Sequence, residues 1–295
     1  MICGLIPINL SDHGYRVHLS LLHPRLFHSL ALIEPIIQLG PPDGAHAALP
    51  SSYRPDLWPS RSAAEASFRK SKFFKTWDSR VLEKYLCYGL RETPTALYPT
   101  TKTKQKSEAQ SPNQPVTLTT TKHQEAWSYV RSNFVTLRDQ DQARMVAPNL
   151  SPEDASYLTH CPNMVMTYNN LPHVRPNVLW IFGAVSNING ARASQDEKVA
   201  RTGTGVGGNG GEKGGRVRTT TLNAGHMLPF EKVDECALTL AAWLEDQCRD
   251  YAATERFWRE FNSRKSERDM TVVSKTWLKT VRSNPREKRI DKPNL

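Results

Sequence analysis

One histidine, His226, lies in a sequence context that could present a general base. It follows a β-branched run at 219–221 and the glycine Gly225, and an amphipathic helical pattern begins near Phe230. This order places an imidazole on a loop at the end of a strand, where enzymes commonly hold a general base. A solvent-facing or helix-capping histidine would have the same local sequence, so both interpretations stay open at this point.

An acidic residue, Glu34, ends a nearly all-apolar run. Residues 29–33 have the continuous hydrophobicity of a short strand that is buried on both faces, and Glu34 and Pro35 follow directly. A carboxylate at the end of such a strand is unusual. It is either a strand-end residue that faces water or an acid with a function, and its immediate neighbours do not decide between the two.

The elements that would position these side chains alternate between helices and strands. The patterns predict helices over 15–27, 62–76, 78–89, 123–134 and 230–250, and strands over 29–35, 177–183 and 217–222. The last long helix is predicted to bury one stripe, composed of Val233, Ala237, Leu240, Leu244, Cys248 and Tyr251. Strands of the parallel type with helices packed on them indicate an α/β protein, and the helical segment 40–175 between the first two strands looks like a lid.

Composition and charge exclude several classes of function. The chain has 295 residues and a formal net charge of +10, of which +6 lies in residues 249–295. A basic tail of this kind is usually a solvated arm, so we do not expect a nucleic-acid partner. No apolar run approaches the ~20 residues that a membrane span requires.

The sequence predicts neither a metal nor a cofactor. The five cysteines are widely scattered, without the spacing of a zinc site or a disulfide framework, which indicates a reducing compartment. Cys236 and Cys248 are expected to be small core residues. Gly203, Gly205 and Gly208 match a dinucleotide fingerprint by spacing only. They follow a polar segment and open into a strand, so we interpret them as a surface loop.

Five segments together resemble the α/β-hydrolase family, and within it the fungal hydrolases of the peroxisomal and toxin-biosynthesis type. Residues 21–35 are similar to the end of the helix behind the nucleophile and the sixth strand. Residues 178–187 resemble the seventh strand, and 218–231 resemble the eighth strand with the catalytic-histidine loop. Residues 116–125 and 203–208 support the narrower match. The resemblance covers about 15–250 and implies strands six to eight of the hydrolase sheet, with a helical lid insertion.

The resemblance implies roles for three residues. His226 would be the general base. Many family members carry an acid three residues after the glycine that closes the seventh strand, but Ser186 occupies that place here. Some relatives place the acid at the end of the sixth strand instead, where Glu34 stands and could orient and stabilise the imidazolium. The family's Gly-x-Ser-x-Gly nucleophile motif is absent, and the nearest candidate nucleophile is Ser11, flanked by Asn9 and His13 in place of glycines.

These expectations define a domain plan and two functions. The plan is a partial hydrolase core at 1–39, the helical lid at 40–175, the core with the histidine loop at 176–250, and a basic tail at 251–295, with the N-terminal half of the fold missing. The first function is a serine hydrolase acting on an ester or acyl bond of a small lipophilic substrate, in lipid or toxin metabolism, in the cytoplasm or the peroxisome. The alternative is a truncated, inactive member that serves as a binding protein or is a remnant.

Overall fold

The computed structural model describes residues 13–23, 25–40, 48–99, 114–129, 131–132, 145, 159–160 and 162–282. In this part of the chain the helices are α1 His13–Leu22, α2 Ala48–Tyr53, α3 Arg61–Lys70, α4 Ser79–Tyr88, α5 Lys122–Tyr129, α6 Pro162–Asn170, α7 Arg192–Arg201, α8 Leu228–Glu231, α9 Val233–Ser263, α10 Glu267–Thr271 and α11 Lys275–Thr280. The strands are β1 Ser29–Ile33, β2 Leu57–Trp58, β3 Leu90–Glu92, β4 Val116–Leu118, β5 Arg131–Ser132, β6 Thr159–His160, β7 Asn177–Gly183 and β8 Val217–Leu222. Short 3₁₀ turns occupy Phe74–Thr76 and Leu171–His173.

A three-stranded parallel sheet in the order β1-β7-β8 forms the centre of the fold. Ser29 pairs with Asn177 at the start of the sheet, and Gly183 pairs with Leu222 at its end. All seven residues of β7 are buried, as expected for a central strand covered on both faces. The three predicted strands are therefore present, and their carboxyl ends lie at one edge of the sheet.

Alternate residues of β7 belong to two different hydrophobic cores. Trp180 and Phe182 stack with their ring centroids 5.6 Å apart and pack on the face that also contacts α1, α6 and α7. Leu179 and Ile181 point to the opposite face, which is covered by α8 and the first part of α9. This two-sided packing is the layered α/β arrangement that the apolar strands predict.

The segment between β1 and β7 contains a small core of its own. We call its described part, residues 48–99 and 114–129, the insert. An antiparallel sheet in the order β2-β4-β3 packs against α3 and α4 around an aromatic cluster: Trp58, Phe68, Phe74, Trp77 and Tyr85. The helical patterns predict α3 and α4, but the sheet is an addition to the helical segment expected from the sequence.

The insert contacts the segment that follows the candidate histidine. The backbone N–H of Asp78 donates to the carbonyl of Phe230 at 2.8 Å, and the rings of Trp77 and Phe230 lie 4.8 Å apart. Arg80 bridges Asp78 and Asp234 in an exposed ion pair. A backbone hydrogen bond, an aromatic contact and an exposed ion pair thus join the insert to α8 and the start of α9.

The stripe predicted for α9 is wrong in phase. Cys236 and Trp243 are buried and Leu240 packs against them, whereas Ala237 and Cys248 are exposed. The chain divides into two compact units, and the boundary along the sequence falls between Trp243 and Leu244. Since α9 extends from Val233 to Ser263, its second half belongs to the C-terminal unit, together with α10 and α11.

Candidate active site

Glu34 is a fully buried carboxylate at the carboxyl end of β1. Its backbone N–H still donates to the carbonyl of Ile181 at 2.9 Å, but its φ of 49° lies in the left-handed region that non-glycine residues rarely adopt. This conformation costs about 1–2 kcal/mol and ends the strand. The side chain lies against the end of β7, where the N–H of Gly183 donates to Oε1 at 2.5 Å. Backbone strain at a buried acid is a feature of functional sites.

The second oxygen of Glu34 accepts three hydrogen bonds. Oε2 accepts from Ser186 Oγ at 2.7 Å, from Asn189 Nδ2 at 3.2 Å and from His226 Nδ1 at 3.0 Å. With the N–H of Gly183 on Oε1, the carboxylate has four donors around it. A buried carboxylate is tolerated only when its oxygens have hydrogen-bond donors in this way.

His226 lies directly after β8 and uses one ring nitrogen to bind Glu34. Because a carboxylate only accepts, Nδ1 carries the proton in this contact, and Nε2 is left as the basic nitrogen of the neutral ring. No described residue forms a hydrogen bond with Nε2. The side chain is 15% exposed. The pair therefore has the tautomer and the partial access that a general base requires.

Two contacts hold the histidine loop in place. The N–H of Gly225 donates to Oε2 of Glu231 at 2.9 Å, so the first turn of α8 braces the loop. At Gly183 the loop lies directly on β7, and a Cβ added there would be 2.5 Å from the carbonyl oxygen of Ala224 and 2.6 Å from that of Gly225. Only glycine allows this approach, which brings the histidine loop within reach of Glu34.

Ser186 occupies the position at which many family members carry the acid, and it serves Glu34 instead. Its Oγ donates to Glu34 and accepts from the backbone N–H groups of Ile188 and Asn189 at 3.2 and 3.0 Å. The sequence excludes Ser186 as an acid because it cannot carry a charge. The structure adds that its hydroxyl is a partner of the acid on the neighbouring strand.

Three further residues of this network cannot be identified from the sequence. Asn189 donates from Nδ2 to Glu34 and to the carbonyl of Pro35, Gln195 Nε2 donates to the carbonyl of Asn189 at 2.5 Å, and Lys198 Nζ donates to Asn189 Oδ1 at 2.6 Å. Gln195 and Lys198 belong to α7, which falls in a stretch that reads as polar loop. Their burial is the signal that identifies them, and it is visible only in the fold.

Ser11, the candidate nucleophile, lies outside the described residues, so its place in this site stays a prediction. The acid Asp196 of α7 is exposed and paired with Arg192 at 2.9 Å, apart from the hydrogen bonds of Glu34 and His226. Burial raises the pKa of the Cys236 thiol to about 11, so this cysteine is a protonated core residue. Among the described residues, no group of three or more His, Cys, Asp or Glu side chains could hold a metal ion, and no helix is long and apolar enough to cross a membrane.

No family model matches the chain, but individual proteins do. A type I acyl-CoA thioesterase from Penicillium brevicompactum is 34% identical over 295 residues, covering 94% of this chain and 66% of the relative. An abhydrolase domain-containing protein from Alternaria alternata is 26% identical over 275 residues, covering 90% of this chain and 92% of the relative. The chain thus spans just under two thirds of the thioesterase and most of the Alternaria protein.

Among solved structures, a peroxisomal α/β-hydrolase from Saccharomyces cerevisiae matches with a TM-score of 0.48 and 17% identity, covering 91% of this chain and 62% of that one. The family assignment rests on the relatives in sequence and on the order of strand, acid, strand and histidine described above. The chain belongs to the α/β-hydrolase family.

Proposed function

We propose that this chain carries the acid–base pair of a serine hydrolase that cleaves an ester or thioester bond of an acyl substrate. The single observation that supports it is the 3.0 Å hydrogen bond from His226 Nδ1 to the buried, four-donor carboxylate of Glu34. A surface histidine needs no such partner. A general base does, because the carboxylate fixes the tautomer and stabilises the imidazolium that forms during the reaction.

In the proposed reaction, Nε2 of His226 accepts the proton of a serine hydroxyl as the oxygen attacks the acyl carbon. The imidazolium is stabilised by Glu34, and it then protonates the departing alcohol or thiol. Water attacks the acyl-enzyme with the same histidine as base, which releases the acid and restores the serine. Ser11 is the serine that we propose as the nucleophile of this chain.

The kind of substrate is proposed from the relatives and from the insert. The Penicillium relative is named an acyl-CoA thioesterase, so an acyl chain joined to oxygen or sulfur is the substrate class that we propose here. We further propose that segment 40–175 is a lid over the core parts 1–39 and 176–250, because the insert holds an aromatic core and contacts the residues after His226. Residues 251–295 would be a basic tail.

For the cellular location we propose the cytoplasm or the peroxisome, for which the scattered cysteines are the support. Cys87, Cys236 and Cys248 are all free thiols. Secreted proteins of this size more often use their cysteines in disulfides.

A hydrolysis assay with matched variants tests this function. Purified protein would be tested on p-nitrophenyl acyl esters and on acyl-CoA thioesters. We expect His226→Ala to lower kcat by about 10²–10⁴-fold, which is the usual contribution of a general base. Glu34→Gln should lower it by up to about 10⁴-fold, as removal of the orienting carboxylate does in other triads.

The controls are His123→Ala and Glu92→Gln, which change exposed residues of the insert and should leave kcat unchanged. A fluorophosphonate probe should label the wild type and not Ser11→Ala. Turnover that survives His226→Ala would refute the proposed role of the pair. Soluble protein that neither reacts with the probe nor turns over any acyl substrate would favour the alternative, an inactive member of the family.

A further inference from the structure

Lys198 is a buried cation beside the Glu34–His226 pair. Lys198 is 1% exposed, although it lies on the short helix α7, two residues from the exposed Asp196. Desolvation lowers the pKa of its ammonium to about 8, while Glu34 and Glu197 act in the opposite direction. Lysine is rarely buried this completely because losing hydration is costly, and a methionine would fill a similar space without that cost.

The ammonium of Lys198 determines which way the Asn189 amide points. An ammonium can only donate, so the atom of Asn189 that lies 2.6 Å away must be the oxygen Oδ1. The amide nitrogen Nδ2 is then on the opposite side, 3.2 Å from Oε2 of Glu34 and 3.2 Å from the carbonyl of Pro35. Both N–H groups have acceptors, and the flipped amide would place an oxygen against two oxygens.

The positive charge of Lys198, like its hydrogen bond to Asn189, favours the observed position of the Glu34 carboxylate. The groups that face Lys198 are Asn189 from the loop after β7, Glu34 from the end of β1 and Glu197 from its own helix. Of these, Glu197 is already hydrogen-bonded to Tyr168. The buried carboxylate of Glu34 therefore has a buried counter-charge, which reaches it through a polarised amide.

We infer that Lys198 is a positioning residue for the Glu34–His226 pair. It fixes the Asn189 amide so that an N–H donates to Oε2 of Glu34, the same oxygen that binds Nδ1 of His226. That oxygen is then held where the imidazole needs it, and the Nδ1–H tautomer of the ring follows. The expected effect of Lys198 on kcat rests on the proposed function. The expected effect of Lys198 on the tautomer of His226 does not, because it follows from the hydrogen bonds alone.

The test compares variants that remove the donor, the charge or the acceptor separately. Lys198→Met removes donor and charge while keeping an unbranched chain. Lys198→Gln restores a donor without the charge, and Asn189→Asp removes the N–H that points at Glu34. The control Lys213→Met makes the same change of charge at an exposed position of the glycine-rich loop.

The readouts are the ¹⁵N resonances of His226, which distinguish the two neutral tautomers, and the separate values of kcat and KM. In the wild type and Lys213→Met we expect a single Nδ1–H tautomer. Lys198→Met and Asn189→Asp should give mixed tautomers and lower kcat about tenfold, the rate equivalent of one hydrogen bond to a charged group, with KM unchanged. Lys198→Gln should recover most of the Nδ1–H signal.

Three outcomes separate this inference from the proposed function. Folded Lys198→Met with wild-type His226 resonances and kcat would overturn it. If Lys198→Met does not fold, the other two variants decide the question. Loss of the Nδ1–H signal in Asn189→Asp together with its retention in Lys198→Gln would support the inference, and retention of the signal in Asn189→Asp would overturn it. A wild-type protein without hydrolase activity but with the Nδ1–H tautomer would contradict the proposed function and leave the tautomer test of Lys198 in force.

Discussion

Replacing Glu34 by glutamine tests whether the buried carboxylate holds the carboxyl-terminal edge of the sheet together. A side-chain amide has one oxygen and one NH₂, so it can replace only one of the two acceptor oxygens. The better orientation keeps oxygen at the Oε2 position, which has three donors. The NH₂ then faces the N–H of Gly183, which donates to Oε1 at 2.5 Å in the wild type.

The expected magnitude follows from these contacts. A buried backbone N–H without an acceptor costs about 1–3 kcal/mol. The buried Lys198 also loses a counter-charge, which it faces through the Asn189 amide and not in a direct ion pair. Breaking a direct buried ion pair from one side costs about 3–5 kcal/mol, so this loss is smaller. Relief from burying a carboxylate offsets part of both. We therefore expect Glu34→Gln to lower the free energy of unfolding by about 3 kcal/mol at pH 7.

Urea unfolding followed by tryptophan fluorescence measures this change, because Trp180 lies in the strand next to Glu34. The midpoint should fall while the slope with urea stays the same, which indicates lower stability without a change in the surface exposed. Glu92→Gln, on an exposed position of β3, should stay within about 0.5 kcal/mol of the wild type. If Glu34→Gln is as stable as Glu92→Gln, the four hydrogen bonds accepted by the Glu34 carboxylate do not stabilise the fold as expected.

Three other variants test neighbouring features. Gly183→Ala should lower the free energy of unfolding by about 1–3 kcal/mol and displace the histidine loop, because its Cβ meets two backbone carbonyls. Gly40→Ala, which meets nothing within 4 Å, is its control, and equal stability of the two would contradict the close approach. The pKa of Lys198 is about 8 in the folded protein and 10.5 in its ordinary state, so the unfolded chain binds more protons between pH 8 and 10.5. The free energy of unfolding of the wild type, relative to that of Lys198→Met, should therefore rise by about 3 kcal/mol over this range. A difference that is flat with pH in chemical denaturation would show that Lys198 is not desolvated. Trp77→Ala should destabilise the protein by about 2 kcal/mol, because it removes the contact with Phe230 and the ring contacts within the insert. Arg80→Ala, which breaks only exposed ion pairs, should change stability by under about 0.5 kcal/mol. Thermal unfolding that ranks the two variants in the reverse order would contradict this.

The three parallel strands, and the strand ends at which Glu34 and His226 lie, could be predicted from the sequence. The apolar runs predict the buried strands β1 and β7, and the β-branched run predicts the more exposed strand β8. In a parallel sheet the residues that end these strands must then lie at one edge. For this reason the family resemblance could pair Glu34 with His226, although the two residues are 192 positions apart and the sequence between them gives no indication of a direct contact.

The helix that carries Lys198 could not be predicted because its buried face is polar. Gln195, Lys198 and Thr202 are buried there together with a single apolar residue, Val199, so the helix lacks the hydrophobic period by which amphipathic helices are found. The sheet of the insert could not be predicted for a different reason. β2 has two residues and β3 has three, and strands this short do not show the alternation of polar and apolar residues. On α9 the stripe was displaced because Trp243 and Cys236, rather than Ala237, face the sheet.

The parallel sheet also determines when during folding the site can form. β1 is separated from β7 and β8 by the whole insert, and joining Glu34 to His226 closes a loop of 192 residues. Parallel strands also cannot begin from a tight hairpin. The core of the insert, in contrast, is built from residues 58–118, whose contacts are much closer in sequence. Contacts of long sequence separation form slowly. We therefore expect the Glu34–His226 pair to form after the aromatic core of the insert. On that expectation, a signal from the pair reports that the whole parallel sheet has assembled, whereas a signal from the insert does not.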